Sequence, residues 1–112
     1  SIVLIDDDPL VRFNWMRQAQ KFGITVNAFS SLDQFIENRK SCSQKVPIFI
    51  DSNLGEEKGE ILSEKLASLG YRKIFLTTGL PKKSVLTMEW ITEVVGKGFE
   101  AAVLPNMPSF KD

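Results

Sequence analysis

Along this chain short apolar runs, each closed by polar or acidic side chains, alternate with longer stretches whose apolar residues recur every third or fourth position. That alternation is the sequence sign of βαβ units and a parallel sheet. Five runs read as strands: Ile2 to Asp6, Ile24 to Phe29, Val46 to Asp51, Lys73 to Thr78 and Ile91 to Val95. After the first, Asp8 is a good N-cap, Pro9 suits a first helical position, and Val11, Trp15, Ala19 and Phe22 make a helical stripe that Gly23 stops. Ser30 and Asp33 resemble a capping box opening a second helix over Leu32, Phe35 and Ile36, which runs to about Arg39. A third helix from about Gly59 turns Ile61, Leu62, Leu66 and Leu69 inward and ends at Gly70. Beyond Gly79-Leu80-Pro81 only a short helical stretch fits, Lys82 to Met88, and the turns of Phe99 to Leu104 are stopped by Pro105 and Pro108. The expected fold is α/β, one doubly wound five-stranded parallel sheet over residues 1–104 with shortened fourth and fifth helices, followed by an irregular tail at 105–112.

Composition narrows the chemistry. The 112 residues fit one domain with one ordinary core. Fourteen Lys and Arg against fourteen Asp and Glu leave no general field for nucleic acid or anionic membrane, so function rests on local geometry. No apolar run approaches the roughly 18 to 20 residues of a membrane span, and the lone Cys42 in a polar stretch fits a reducing, cytoplasmic setting as a bystander thiol. With no histidine present, a catalytic imidazole, a histidine metal ligand and a phosphohistidine donor are excluded within these residues. Ser1 entering a strand at once suggests a segment of a longer chain.

In a parallel sheet the carboxyl ends of the strands converge on one edge, where ligands bind. That edge should collect Asp6 and Asp7 after the first strand, Asp51 after the third, Thr77 and Thr78 after the fourth, and Lys97 after the fifth. Three carboxylates carry about −3, which one lysine and a divalent ion would bring close to zero; hard oxygen donors with room for water favour Mg²⁺. An aspartate can attack phosphorus to give an acyl phosphate, while a cation and a lysine neutralise the transferring phosphoryl and a threonine hydroxyl donates to it.

On these residues the chain, from Ile2 to about Glu100, resembles the receiver domain of two-component response regulators and hybrid sensor histidine kinases. The resemblance implies a flavodoxin-like strand order 2-1-3-4-5, with the acidic pair at Asp6 and Asp7, the phosphoacceptor at Asp51 and a metal-binding main-chain carbonyl at Asn53. It further places a glycine eight residues beyond the acceptor at Gly59, the switch hydroxyl at Thr78 with Gly79 after it, and the phosphoryl-binding lysine at Lys97. By the same resemblance Asp6, Asp7, Asp51 and Asn53 hold Mg²⁺. A histidine kinase or histidine phosphotransfer protein donates the phosphoryl group, and the domain catalyses its own phosphorylation and dephosphorylation without being an enzyme for other substrates. A kinase or effector domain in the same chain is a further implied partner, with no direct nucleic-acid contact and no membrane insertion.

The chain departs from that pattern in places. Gly98 stands where proline commonly follows the lysine; a cis bond to a non-proline costs roughly 2.5 to 4 kcal/mol, so the Lys97–Gly98 peptide is either trans or strained. Val94 replaces the usual switching aromatic, and the Thr78 to Lys97 segment is short. Two rival readings follow. One is a pseudo-receiver, an interaction module not regulated by phosphorylation. The other is a haloacid-dehalogenase-like phosphatase built on Asp6 and Asp8, which leaves Asp51 unexplained.

Overall fold

The apolar runs do form one sheet. The computed structural model describes residues 1–81, 85 and 88–109. In chain order its elements are β1 (Ile2–Ile5), α1 (Pro9–Gln20), β2 (Val26–Phe29), α2 (Leu32–Asn38), β3 (Ile48–Asp51), β4 (Asn53–Leu54), β5 (Glu57–Lys58), α3 (Gly59–Ser68), β6 (Ile74–Thr78), β7 (Glu93–Gly96) and α4 (Phe99–Val103). Five strands pair in parallel in the order β2-β1-β3-β6-β7. This is the expected 2-1-3-4-5 order once the small antiparallel hairpin β4–β5 is set aside.

Helices cover both faces, so the strands bury both of their sides and read as unbroken apolar runs. Strand parity sorts the core into two layers. Val3, Ile5, Ile48, Ile50, Ile74, Leu76 and Val94 face α2 and α3, with Phe35 and Leu66 among them. Ile2, Leu4, Phe49, Phe75 and Val95 face α1 and α4, with Trp15, Ala19 and Phe99. The second layer is aromatic: Phe49 stacks on Phe75 at 4.7 Å, and Trp15 meets Phe49 and Phe99 edge to face.

The helix starts show why local signals worked and where they slipped. Asp8 caps α1, its side chain accepting the Leu10 N–H at 2.9 Å, with Pro9 in the first turn. The capping box of α2 sits one residue later than expected. Ser31, in extended backbone, accepts the Gln34 N–H at 3.1 Å, and Gln34 Oε1 accepts the Ser30 N–H at 2.7 Å. The glutamine amide is long enough to reach back, which leaves Asp33 inside the first turn.

A second correction concerns α3. Ile61, expected in the core, is 64% exposed. Gly59 abuts the Asp51 backbone and fixes the helix rotation, so Gly59, Ser63 and Leu66 point inward; Ile61, two residues on, lies about 200° around the helix from Gly59. The strands are also shorter than their apolar runs, because Ile24, Val46 and Ile91 pack without pairing. The helical stretch expected at Lys82 to Met88 lies largely outside the described residues. α4 ends at Val103, one residue before the expected Leu104, and the chain goes on in 3-10 turns over Leu104–Ser109, interrupted at Asn106, where an irregular tail was expected. Proline fits 3-10 and first-turn positions that do not need its missing N–H. No described helix is long and apolar enough to cross a membrane.

Candidate functional site

The carboxyl ends of β1, β3, β6 and β7 bring the predicted side chains together. Asp51 ends β3 in register with Thr77, and Thr78 of β6 is level with Gly96 of β7. Parity decides which side each group faces. Asp51 follows Phe49, and Lys97 follows Val95, by two residues, so both continue the α1–α4 layer, whereas Thr78 follows Leu76 and belongs to the opposite layer.

Asp51 is 2% exposed, and both its oxygens are engaged. Oδ1 accepts the Asn53 N–H at 3.2 Å, and Oδ2 accepts from the Lys97 ammonium at 3.2 Å. Burial works against the Lys97 charge, but the Asp51 hydrogen bond and the surrounding carboxylates outweigh it and raise the lysine pKa. Asp6 is fully buried. Its Oδ1 accepts the Asp8 N–H at 2.9 Å, while Oδ2 has no hydrogen-bond partner among the described residues and lies 4.0 Å from Lys97 Nζ. Asp7 is exposed, with Oδ2 accepting the Gly55 N–H at 3.1 Å.

One carboxylate oxygen each from Asp6, Asp7 and Asp51 lies within 4.8 Å of the others, so this cluster could hold a metal ion. An orphaned buried carboxylate oxygen beside two more carboxylates is what a hard divalent cation would satisfy. The hairpin that follows Asp51 turns one main-chain carbonyl toward the same side. The Gly59 N–H donates to the Ser52 carbonyl at 3.0 Å, which makes Asn53–Lys58 the non-hydrogen-bonded pair of the hairpin. In an extended residue N–H and C=O share a side; since the Asn53 N–H turns to Asp51, its carbonyl is left on that side too.

A cavity of about 430 Å³ opens above Asp51, lined by Asn53, Thr78, Gly79 and Lys97, with Lys58 and Leu80 at its rim. It has room for a phosphoryl-sized group and several waters. Thr78 Oγ1 accepts the Leu80 N–H at 3.0 Å, which leaves its own O–H free to donate into the cavity. Thr77 is buried and does not line this space. Asp8 is spent as a helix cap. The Lys97–Gly98 peptide is trans, like every described peptide bond.

Three features carry no sequence signal: the β4–β5 hairpin, Arg12 Nη1 donating to the Asp6 carbonyl at 2.8 Å, and the Trp15 indole N–H donating to the Lys97 carbonyl. Glu57-Lys58 carries no strand pattern, and Arg12 and Trp15 show only as helix positions until the sheet is assembled.

Burial pushes the Asp6 carboxyl up to about 6 from an ordinary 3.8; the Asp8 N–H lowers it, the Asp51 charge raises it, Lys97 lowers it and Asp7 raises it. Because the folded value exceeds the unfolded one, the fold favours the protonated acid. That contribution is complete below about pH 4 and is lost as pH rises through about 6, a span worth up to about 3 kcal/mol. Urea unfolding in EDTA should therefore show wild type and Asp6→Asn equally stable near pH 4 and the wild type weaker at pH 7.5. Mg²⁺ should erase the wild type's deficit. Parallel pH curves for the two proteins would contradict the assignment.

Compared with known proteins, the chain matches no family model and no curated protein. Among solved structures it superposes on one described as a low-resolution structure of the response regulator StyR, with a TM-score of 0.71 and 21% sequence identity. The match covers 88% of this chain and 52% of that one, so the chain spans about half the length of StyR. A likeness at this identity shows a shared fold, here the five-stranded parallel sheet in the flavodoxin-like order.

Proposed function

We propose that this receiver-fold domain is a phosphoacceptor of a two-component phosphorelay, taking a phosphoryl group from phosphohistidine onto Asp51. The observation that carries the reading is the surroundings of Asp51: a buried strand-end carboxylate, hydrogen-bonded to Lys97 at 3.2 Å, clustered with Asp6 and Asp7 and open to the cavity that Thr78 lines. Asp6, Asp7, Asp51 and the Asn53 carbonyl would hold Mg²⁺, and the bound ion would supply positive charge to the phosphoryl oxygens.

The chain's own residues account for the rest. An Asp51 carboxylate oxygen attacks phosphorus; the P–N bond to the donor imidazole breaks, its electron pair returns to the ring, and an acyl phosphate forms. Lys97 exchanges its bond to Asp51 for one to the phosphoryl group, neutralising charge as it develops. Thr78 turns its free O–H to a phosphoryl oxygen, so its position reports occupancy. Gly79, where an added Cβ would meet nothing within 4 Å, leaves the entrance open to the donor and to the water that later hydrolyses the acyl phosphate. A histidine kinase or histidine phosphotransfer protein is the proposed partner, the setting cytoplasmic, and the output a changed surface around Thr78 and Lys97.

The pseudo-receiver keeps one specific observation in its favour: Val94 is buried in the core, so no aromatic at that position turns with the threonine. Titration with Mg²⁺ and then beryllofluoride, followed by NMR, separates the two readings. The phosphoacceptor should show saturable shifts at Thr78, Gly79 and Gly98; an unchanged spectrum would leave only the interaction module. The phosphatase reading is disfavoured because Asp8, which it needs for chemistry, caps α1.

A further inference from the structure

Lys97 stands between Gly96, paired in β7 with no room for a Cβ beside Ala101, and Gly98, a glycine whose backbone has little intrinsic restraint. A Cβ at Gly98 would meet nothing within 4 Å, so no side-chain packing holds that residue either. The Ala102 N–H fixes the Gly98 carbonyl at 3.0 Å, on the helix side of the lysine. Toward the core, the Lys97 carbonyl accepts the indole N–H of Trp15 at 3.1 Å, a bond spanning 82 residues of sequence. Trp15 is 1% exposed and held edge to face by Phe49 at 5.3 Å and Phe99 at 5.6 Å. Phe49 lies two residues before Asp51, and Phe99 two residues after Lys97. The indole thus sits beneath both reacting side chains and ties the lysine's backbone to the layer that carries Asp51.

We propose that Trp15 is a positioning residue of the phosphoryl site, whose indole N–H holds the glycine-flanked Lys97 peptide so that the ammonium is presented to Asp51 and to the incoming phosphoryl group. The proposal rests on the reading of Asp51 as phosphoacceptor. A displacement of about 1 Å in such a group is enough to slow a transfer that depends on alignment.

Trp15→Phe keeps a ring in the aromatic layer and deletes the donor. The initial rate of Asp51 labelling by acetyl phosphate at saturating Mg²⁺ should fall about five- to tenfold, the scale of one lost hydrogen bond. The apparent affinity for Mg²⁺ should not change, because no carboxylate is touched. Phe22→Leu is the control for mere loosening: it disturbs the same layer through the 6.1 Å stack on Phe99, and should lower the urea midpoint while folded molecules label at the wild-type rate. Wild-type labelling by folded Trp15→Phe would overturn the proposal alone; no labelling of the wild type would overturn the phosphoacceptor reading, and the proposal with it. Should Trp15→Phe fail to fold, 5-fluorotryptophan in the Trp90→Phe chain keeps the indole N–H and gives a single fluorine resonance at Trp15. That resonance should move when Mg²⁺ and beryllofluoride occupy the site, and a stationary signal at full occupancy would overturn the proposal.

Discussion

Asp51→Asn is expected to reduce base-labile labelling by acetyl phosphate or a cognate kinase to background, a loss on the order of 10³ or more. The change preserves shape, since the amide oxygen can still accept the Asn53 N–H that now bonds Oδ1. What it removes is the anionic nucleophile and the acceptor of the Lys97 hydrogen bond. A second consequence distinguishes this cause from misfolding. The Asp51 charge is one of the influences that raise the Asp6 pKa, so in the variant Asp6 should titrate lower, and the cluster, reduced from about −3 to −2, should bind Mg²⁺ more weakly. Undiminished labelling of a folded Asp51→Asn protein would move the phosphoacceptor elsewhere.

Gly59→Ala should be the most damaging single methyl group in the described chain. A Cβ at Gly59 would run into the Asp51 carbonyl oxygen and lie 2.8 Å from its carbon and 2.9 Å from Ser52 Cα. All three are backbone atoms, so no side chain can swing aside; either α3 withdraws from the sheet or β3 shifts and carries the Asp51 carboxylate with it. A cost of about 3 kcal/mol or more is expected from such overpacking, read as a fall in the urea midpoint. The fraction that still folds should label poorly, because its nucleophile is displaced. Gly79→Ala, in the lining of the cavity, is the counterpart: its Cβ meets nothing within 4 Å, and stability should change by no more than about 0.5 kcal/mol. Equal midpoints for the two variants would contradict the packing.

The readable parts of this protein were those in which one residue's local chemistry announces its position. Asp8-Pro9 announces a helix start, and apolar runs ending in Asp6, Asp51 and Thr78 announce buried strands closing at one edge, where the structure places all three. The α3 rotation was not readable. Ile61 belongs to an apolar stripe by composition, and only the contact of Gly59 with the Asp51 backbone turns it to solvent. The same holds for Trp15, which as a helix-stripe tryptophan is simply core; its bond to Lys97 needs β7 and α4 folded back across the sheet. The capping box slipped by one residue because Ser30 and Ser31 are both good caps, and Gln34, two residues before Ile36, proved a better reciprocal partner than Asp33.

The two-layer parity of the strands restricts how this chain can tolerate insertions and deletions. Asp51 shares a face with Phe49 and Lys97 with Val95, so the carboxylate and the ammonium meet only because each lies an even number of residues from its last core neighbour in the α1–α4 layer. Removing one residue between Phe49 and Asp51 would send the carboxylate toward the α2–α3 layer while leaving composition and apolar character almost untouched. Length changes should therefore be tolerated best in the connections on the far edge of the sheet, such as Cys42 to Lys45, where a gained or lost residue changes no parity at the site. At the near edge, the fold counts residues in twos.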